Sequence, residues 1–106
     1  MKNETINTLD ITAKEWFDKV NGNSYFSAQI TINFGTDTEQ TIYVPFQYGY
    51  GQHYQTISID ALKNAGYFTT ENSFALWRIC DENKIILNCN KQTGFKKSEV
   101  KSFGIN

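Results

Sequence analysis

A chain of 106 residues supplies one domain and cannot divide into two cores. Its 40% apolar and 20% charged residues, with a formal net charge of −1, exclude a charge-expanded disordered chain and a strongly basic nucleic-acid tail. Eight Phe, six Tyr and two Trp against one Met and one Pro describe a core built from rings. No apolar run approaches the ~20 residues a bilayer span needs. The residues after Met1 are polar and not patterned as a signal peptide, so a soluble, intracellular protein without membrane contact is expected.

The near-zero net charge conceals an asymmetry. Residues 1–76 carry four Lys and eight Asp or Glu, whereas residues 77–106 carry six Lys or Arg and three Asp or Glu. No Lys or Arg stands between Lys19 and Lys63, and the acids there are Asp37, Glu39 and Asp60. The middle of the chain is polar through Ser, Thr, Asn, Gln and Tyr, groups that meet a partner with less desolvation cost than charges. Cys80 and Cys89 lack C-x-x-C spacing, and with one His they do not complete a four-ligand zinc site, so neither a metal nor a cofactor is expected.

In chain order, residues 1–10 read as an irregular arm and residues 11–106 as the domain. Thr12 and Glu15 stand in capping-box relation, and Ala13, Trp16, Phe17 and Val20 at i, i+3, i+4 and i+7 predict a helix ended by Asn21-Gly22. From Tyr25 the period becomes two. Phe26, Ala28, Ile30, Ile32 and Phe34 point one way, and Tyr25, Ser27, Gln29, Thr31 and Asn33 the other. After the turn-rich 35–39, Ile42, Val44 and Phe46 resume the alternation and complete a hairpin, with Pro45 placed near the end or outer edge of its strand because it lacks a ladder donor. Residues 47–54 predict an ordered loop shaped by Gly49 and Gly51. A helix follows from Tyr54 or Ile57 to Ala65, with Ile57, Ala61, Leu62 and Ala65 inward and Gly66 beyond its end.

Alternation at 74–80 and 85–90 predicts a second hairpin with a three-residue loop, Asp81-Glu82-Asn83, and Asn83 left-handed; Cys80 and Cys89 then face opposite ways and cannot bond. A short helical turn capped by Ser98 and stopped by Gly104 closes the chain. The expected fold is α+β: a four-stranded, mainly antiparallel sheet from two hairpins, in the order α-β-β-α-β-β. Helices cover one face through Trp16, Phe17, Val20, Ile57, Ala61 and Leu62. The other face, with Tyr25, Ser27, Gln29, Thr31, Tyr43, Leu76 and Arg78, is left open to a partner or a second copy.

His53 is the one imidazole and has no acid near it in sequence, and no Ser, Cys or Asp constellation accompanies it, so no enzyme is expected. Tyr48-Gly49-Tyr50-Gly51 lacks the third glycine of a dinucleotide fingerprint, Tyr54 standing in its place. The tyrosines instead suit stacking on a base or anchoring a protein interface, each offering an apolar face and a polar tip. Lys91, Lys96, Lys97 and Lys101 with Arg78 form a basic set that single-stranded nucleic acid would fit, although the sequence pI of about 5.7 is low for such a binder.

Two runs carry a resemblance. Trp16-Phe17 followed by Gly22-Asn23-Ser24-Tyr25-Phe26-Ser27, and Pro45-Phe46-Gln47-Tyr48-Gly49-Tyr50-Gly51 with Tyr54, resemble a pattern in small uncharacterised proteins of bacteriophages and prophages; Lys97 to Val100 and Phe103-Gly104 are similar to those proteins' endings. The resemblance implies a phage context and no activity. Small phage proteins of about this size that are not virion parts often act by binding a host defence protein, as anti-CRISPR and other anti-defence proteins do, or by sequestering a nucleotide signal, without turnover. The expectation is a non-enzymatic inhibitor in the host cytoplasm that occupies a host protein or complex. Holding a nucleotide-like ligand and binding single-stranded nucleic acid are the alternatives. The candidate binding residues are Tyr48, Tyr50, His53, Tyr54, Asn23, Tyr25, Tyr43 and Arg78.

Overall fold

The computed structural model describes residues 6–67 and 75–105. In chain order it holds β1 (Thr8–Asp18), β2 (Asn23–Ile32), β3 (Gln40–Tyr48), α1 (His53–Asn64), α2 (Leu76–Glu82), β4 (Ile86–Gln92) and α3 (Lys97–Phe103). The α+β class and the four-stranded sheet are as expected, with spatial order β3-β2-β1-β4. β1–β2 and β2–β3 pair antiparallel, while β4 joins β1 in parallel. The expected order α-β-β-α-β-β is therefore corrected to β-β-β-α-α-β-α.

The largest correction is the first helix, which is the strand β1. Leu9, Ile11 and Ala13 are fully buried and alternate with Asp10, Thr12 and Lys14, a period of two that the helical spacing of Ala13, Trp16, Phe17 and Val20 masked. Pairing on both sides decides the matter. Leu9 lies against Ile32 and Leu87, and Ile11 against Ile30 and Cys89, so the strand buries one apolar row between two others. The expected arm over residues 1–10 loses Thr8, Leu9 and Asp10 to this strand, Ile6 is buried, and residues 1–5 of that arm lie outside the described residues. Asn21-Gly22 is the turn between β1 and β2 and ends no helix. Gly22 is left-handed at φ 72°, and its N–H donates to the Asp18 carbonyl at 2.8 Å.

β2 follows the expected alternation, with Phe26, Ala28, Ile30 and Ile32 buried. It stops at Asn33, which takes φ 53°, and Phe34 is 71% exposed where an inward position was expected. β3 is an outer strand, which suits Pro45. Between Phe26↔Gln47 and Ala28↔Val44 β3 holds one residue more than β2, and this bulge turns Phe46 away from Ile42 and Val44 to the opposite face.

α1 begins one residue before Tyr54, the earlier of its two expected starts, and four before Ile57, the later, and it ends at Asn64, one residue short of Ala65. It ends in a Schellman arrangement, Tyr67 N–H to Leu62 carbonyl at 3.0 Å and Gly66 N–H to Lys63 carbonyl at 2.9 Å, with Gly66 at φ 89°. Tyr54, Ser58, Ile59 and Leu62 are its buried residues; Ile57 and Ala61 pack half-buried beside them.

The second expected hairpin does not exist. Leu76, Ile79 and Cys80 are buried at i, i+3 and i+4 of α2, so period two and helical period both fitted this segment and packing chose the helix. Phe74, assigned to that hairpin, lies outside the described residues. α2 ends as α1 does, with Ile85 N–H to Cys80 carbonyl at 2.8 Å and Lys84 N–H to Asp81 carbonyl at 3.3 Å, and Lys84 at φ 57° takes the left-handed position expected of Asn83.

Cys80 and Cys89 also do not face opposite ways: both turn into the core between sheet and helices, and both are free thiols. Burial, and secondarily the neighbouring Cys89, pushes the Cys80 thiol up to about 11 from its ordinary 9.0; burial raises Cys89 too, opposed by the Tyr54 hydroxyl. A thiol whose pKa rises on folding contributes stability that is complete below the unfolded value of 9.0 and lost as pH climbs through about 11. Denaturation curves should accordingly weaken across that alkaline window. Iodoacetamide at pH 8 should modify Cys80 at least ~10-fold more slowly in the native protein than in urea; equal rates would contradict its placement.

α1 and α2 cover the sheet face of Leu9, Ile11, Phe26, Ile30 and Val44. The opposite face was expected to be open, and α3 lies across its middle. Ser27 Oγ donates to the Val100 carbonyl at 2.5 Å and Gln29 Nε2 to the Phe103 carbonyl at 3.1 Å. Val100 is fully buried there. The cap of α3 is at Lys96, not Ser98, with Lys96 N–H held by Glu99 Oε1 at 2.8 Å. Gly104 ends the helix, as expected.

Candidate binding surface

The strand register assembles a row of rings across the α3 face. Trp16 on β1 is opposite Tyr25 on β2, and Tyr25 is opposite Tyr48 on β3. Ring centroids are 5.6 Å apart for Trp16–Tyr25 and 5.8 Å for Tyr25–Tyr48. The bulge adds Phe46, stacked on Tyr25 at 5.3 Å with planes 6° apart. Tyr50 extends the row from the loop, 6.4 Å from Tyr48. Trp16, Tyr25 and Phe46 are half-buried, whereas Tyr48 is 54% and Tyr50 68% exposed. The row thus passes from a packed base to an accessible tip.

Lysines pin this layer. Lys97 Nζ lies 5.4 Å over the Trp16 ring and Lys101 Nζ 5.6 Å over Phe46, both from α3; Lys14 Nζ sits 4.7 Å from Phe95 and 4.4 Å from Phe103. Each pairing sets a cation on the negative face of a ring, about 0.5–1 kcal/mol at an exposed site. Between β1 and the segment leading to α3 runs a groove of about 560 Å³ lined by Trp16, Phe17, Phe95, Lys96 and Lys97 among others.

The Tyr-Gly-Tyr-Gly loop is held from below. Lys91 on β4 bonds Glu15 Oε1 on β1 at 3.1 Å and the Gly51 carbonyl at 2.8 Å, in a partly buried position. Gly49 lies so close to the Phe26 and His53 rings that a Cβ would meet them at 2.6 and 2.7 Å, so only glycine lets the loop rest there. Tyr48, Gly49, Tyr50 and His53 line an open hollow of about 360 Å³. His53 opens α1 and its ring stands edge-on to Phe26 at 6.2 Å, an apolar neighbour that relays no proton.

The structure therefore brings Tyr25, Tyr48, Tyr50 and His53 to one end of the sheet, and Asn23, at the start of β2 opposite Asp18, lies beside them. Asp18 closes that corner: its carboxylate accepts from the Asn21 side chain at 2.8 Å and from the Val20 N–H at 3.0 Å, and the Asn21 bond leads in holding its pKa below the usual range. Three candidates fall elsewhere. Tyr54 is buried in the core on the helix-covered side, where burial raises its pKa. Tyr43 is half-buried on β3 opposite Gln29, farther along the strand. Arg78, expected on the open sheet face with Leu76, is exposed on α2 and bonds Glu82 at 3.4 Å, while Leu76 is buried. Sequence reasoning missed Trp16, Phe46, Phe95, Phe103 and Lys14 as parts of this layer; Lys97 and Lys101 stood in the expected basic set, without the rings they cover. A period-two reading of residues 8–18 would have set Trp16 beside Tyr25.

Among the described residues no three His, Cys, Asp or Glu side chains converge as a metal site requires, and no helix is long and apolar enough to cross a membrane. The fold and this face define a mixed-sheet α+β domain with an exposed aromatic tip beside a lysine-bearing helix. No family model, curated protein or solved structure matches the chain.

Proposed function

We propose that this protein works without turnover, as a binding module of the phage type that occupies the surface of a host macromolecule, a defence protein or complex in the host cytoplasm. The observation that carries the reading is the ring row: exposed Tyr48 and Tyr50 stand on a base of packed rings and on a loop tied down by Lys91 and Gly49. Rigid tyrosines lose little conformational freedom on binding and so serve as interface anchors. Lys14, Lys97 and Lys101 beside them favour a partner face rich in carboxylates or phosphates. Capture of one defined host protein by the immobilised chain, lost at least ~10-fold with Tyr48→Ala/Tyr50→Ala and kept with Arg78→Ala, is the expected result. Equal capture by all three would discard the surface.

The hollow beside His53 favours a second reading, a nucleotide-like ligand held against Tyr48 and Tyr50. A rise in melting temperature with one nucleotide, absent in the double variant, would select it over the first.

A further inference from the structure

The two outer strands of the sheet are finished differently. β3 is closed to further pairing by Pro45, which lacks an N–H, by the bulge beside it, and by Gln47 Nε2, which donates to the Pro45 carbonyl at 3.0 Å. β4 has none of these devices. Its Ile86 N–H donates to the Asn7 carbonyl at 3.0 Å, so in the parallel ladder its even-numbered residues turn their backbone groups towards β1. Leu87, Cys89 and Lys91 consequently turn their N–H and C=O groups to the outer side, where among the described residues no strand pairs with them. The side chains on the solvent-facing row of β4 are Ile86, Asn88, Asn90 and Gln92, all exposed and all uncharged, with Ile86 64% exposed. Lys91, the one charge in the strand, is drawn back to Glu15 and Gly51.

We propose that β4 pairs antiparallel with β4 of a second copy, across a two-fold axis at Cys89, to form one continuous eight-stranded sheet. This register uses the whole strand. It sets Leu87 against Lys91 as hydrogen-bonded pairs, whose lysine stem covers apolar surface, and it sets Asn88 against Asn90 and Ile86 against Gln92 as the closer non-hydrogen-bonded pairs. No like charges meet. A second copy fits because the row is neutral and self-complementary under a two-fold, the usual symmetry of homodimers. The ring row begins at Trp16, beyond the Thr8–Lys14 stretch of β1 that pairs with β4, and runs from there towards β3 on the far side of the sheet, so the pairing leaves it accessible.

Light scattering at about 100 µM should report about twice the 12.2 kDa monomer mass. Ile86→Lys/Gln92→Lys sets lysine against lysine at both ends of the pairing on exposed positions, and should raise the dimer dissociation constant at least ~10-fold with the circular dichroism spectrum unchanged. Asn88→Cys/Asn90→Cys should form a covalent dimer under mild oxidation where the wild-type chain does not, because non-hydrogen-bonded pairs bring Cα atoms to about 4.5 Å. A wild-type monomer at this concentration overturns the proposal. So does a dimer that survives the lysine pair, or one that dissociates with Tyr48→Ala/Tyr50→Ala instead.

Discussion

Asn33→Ala should cost about 3–4 kcal/mol, a large share of the stability of a domain this size. Asn33 is buried at the end of β2, yet its side chain serves the start of β1: Oδ1 accepts the Asn7 N–H at 2.6 Å and the Thr8 N–H at 3.2 Å, while Nδ2 donates to Thr38 Oγ1 at 2.9 Å. Truncation removes the acceptor of two backbone donors, at about 1–3 kcal/mol for the half-buried Thr8 N–H and less for that of the exposed Asn7. It also places alanine at φ 53°, a conformation asparagine tolerates better, for about 1 kcal/mol more. Asn33→Gly relieves the backbone and not the donors, so it should recover only about 1 kcal/mol. Asn33→Asp keeps the acceptor and should be the mildest of the three at neutral pH. Urea denaturation gives the ranking; alanine and glycine variants within 0.5 kcal/mol of wild type would remove this residue from the account.

Gly104→Ala should lift α3 from the sheet and lose about 2–4 kcal/mol. Gly104 has φ −90°, open to any residue, so the cost is one of space. A Cβ would stand 2.5 Å from the Val44 carbonyl oxygen, 2.6 Å from Ser27 Cβ and 3.2 Å from Pro45 Cα. Two of these atoms are backbone of the sheet and the third is fixed at its own Cα, so no long side chain can swing aside. Relief requires α3 to move, which breaks Ser27 Oγ to Val100 and Gln29 Nε2 to Phe103 and uncovers Val100. The core under α1 and α2 lies on the other face and should persist. Near-ultraviolet circular dichroism should therefore change through Trp16 and Phe46 while the far-ultraviolet spectrum holds. Lys101→Ala, on the exposed side of α3, should cost no more than about 1 kcal/mol, the worth of its contact with Phe46. Matching stabilities for Gly104→Ala and wild type would mean that α3 is not docked here.

How far the residues announce the fold depends on whether a segment carries one period or two. Phe26, Ala28, Ile30 and Ile32 alternate without a competing helical pattern, and their strand and its buried face were legible. Gly66 marked the end of α1 because a residue past a helix end takes positive φ. Residues 8–18 and 75–82 satisfy both periods, and there the choice was mistaken in each case. The aromatic tip was half visible: Tyr48, Tyr50 and His53 lie together in sequence, as does the glycine that shapes their loop. Their supporting rings come from positions that were assigned to a helix or to the opposite face.

An aromatic-rich α+β domain, the β2–β3 hairpin, the edge position of Pro45 and the stops at Gly66 and Gly104 are legible in the residues alone. Long-range packing makes residues 8–18 an inner strand, joins β4 to it in parallel and closes α3 over Trp16 and Phe46. Turns and helix ends are local, set by the φ preferences of one or two residues. A strand between two others is stabilised by partners many positions away, Ile32 on one side and Leu87 on the other for Leu9, and no window of neighbouring residues contains them.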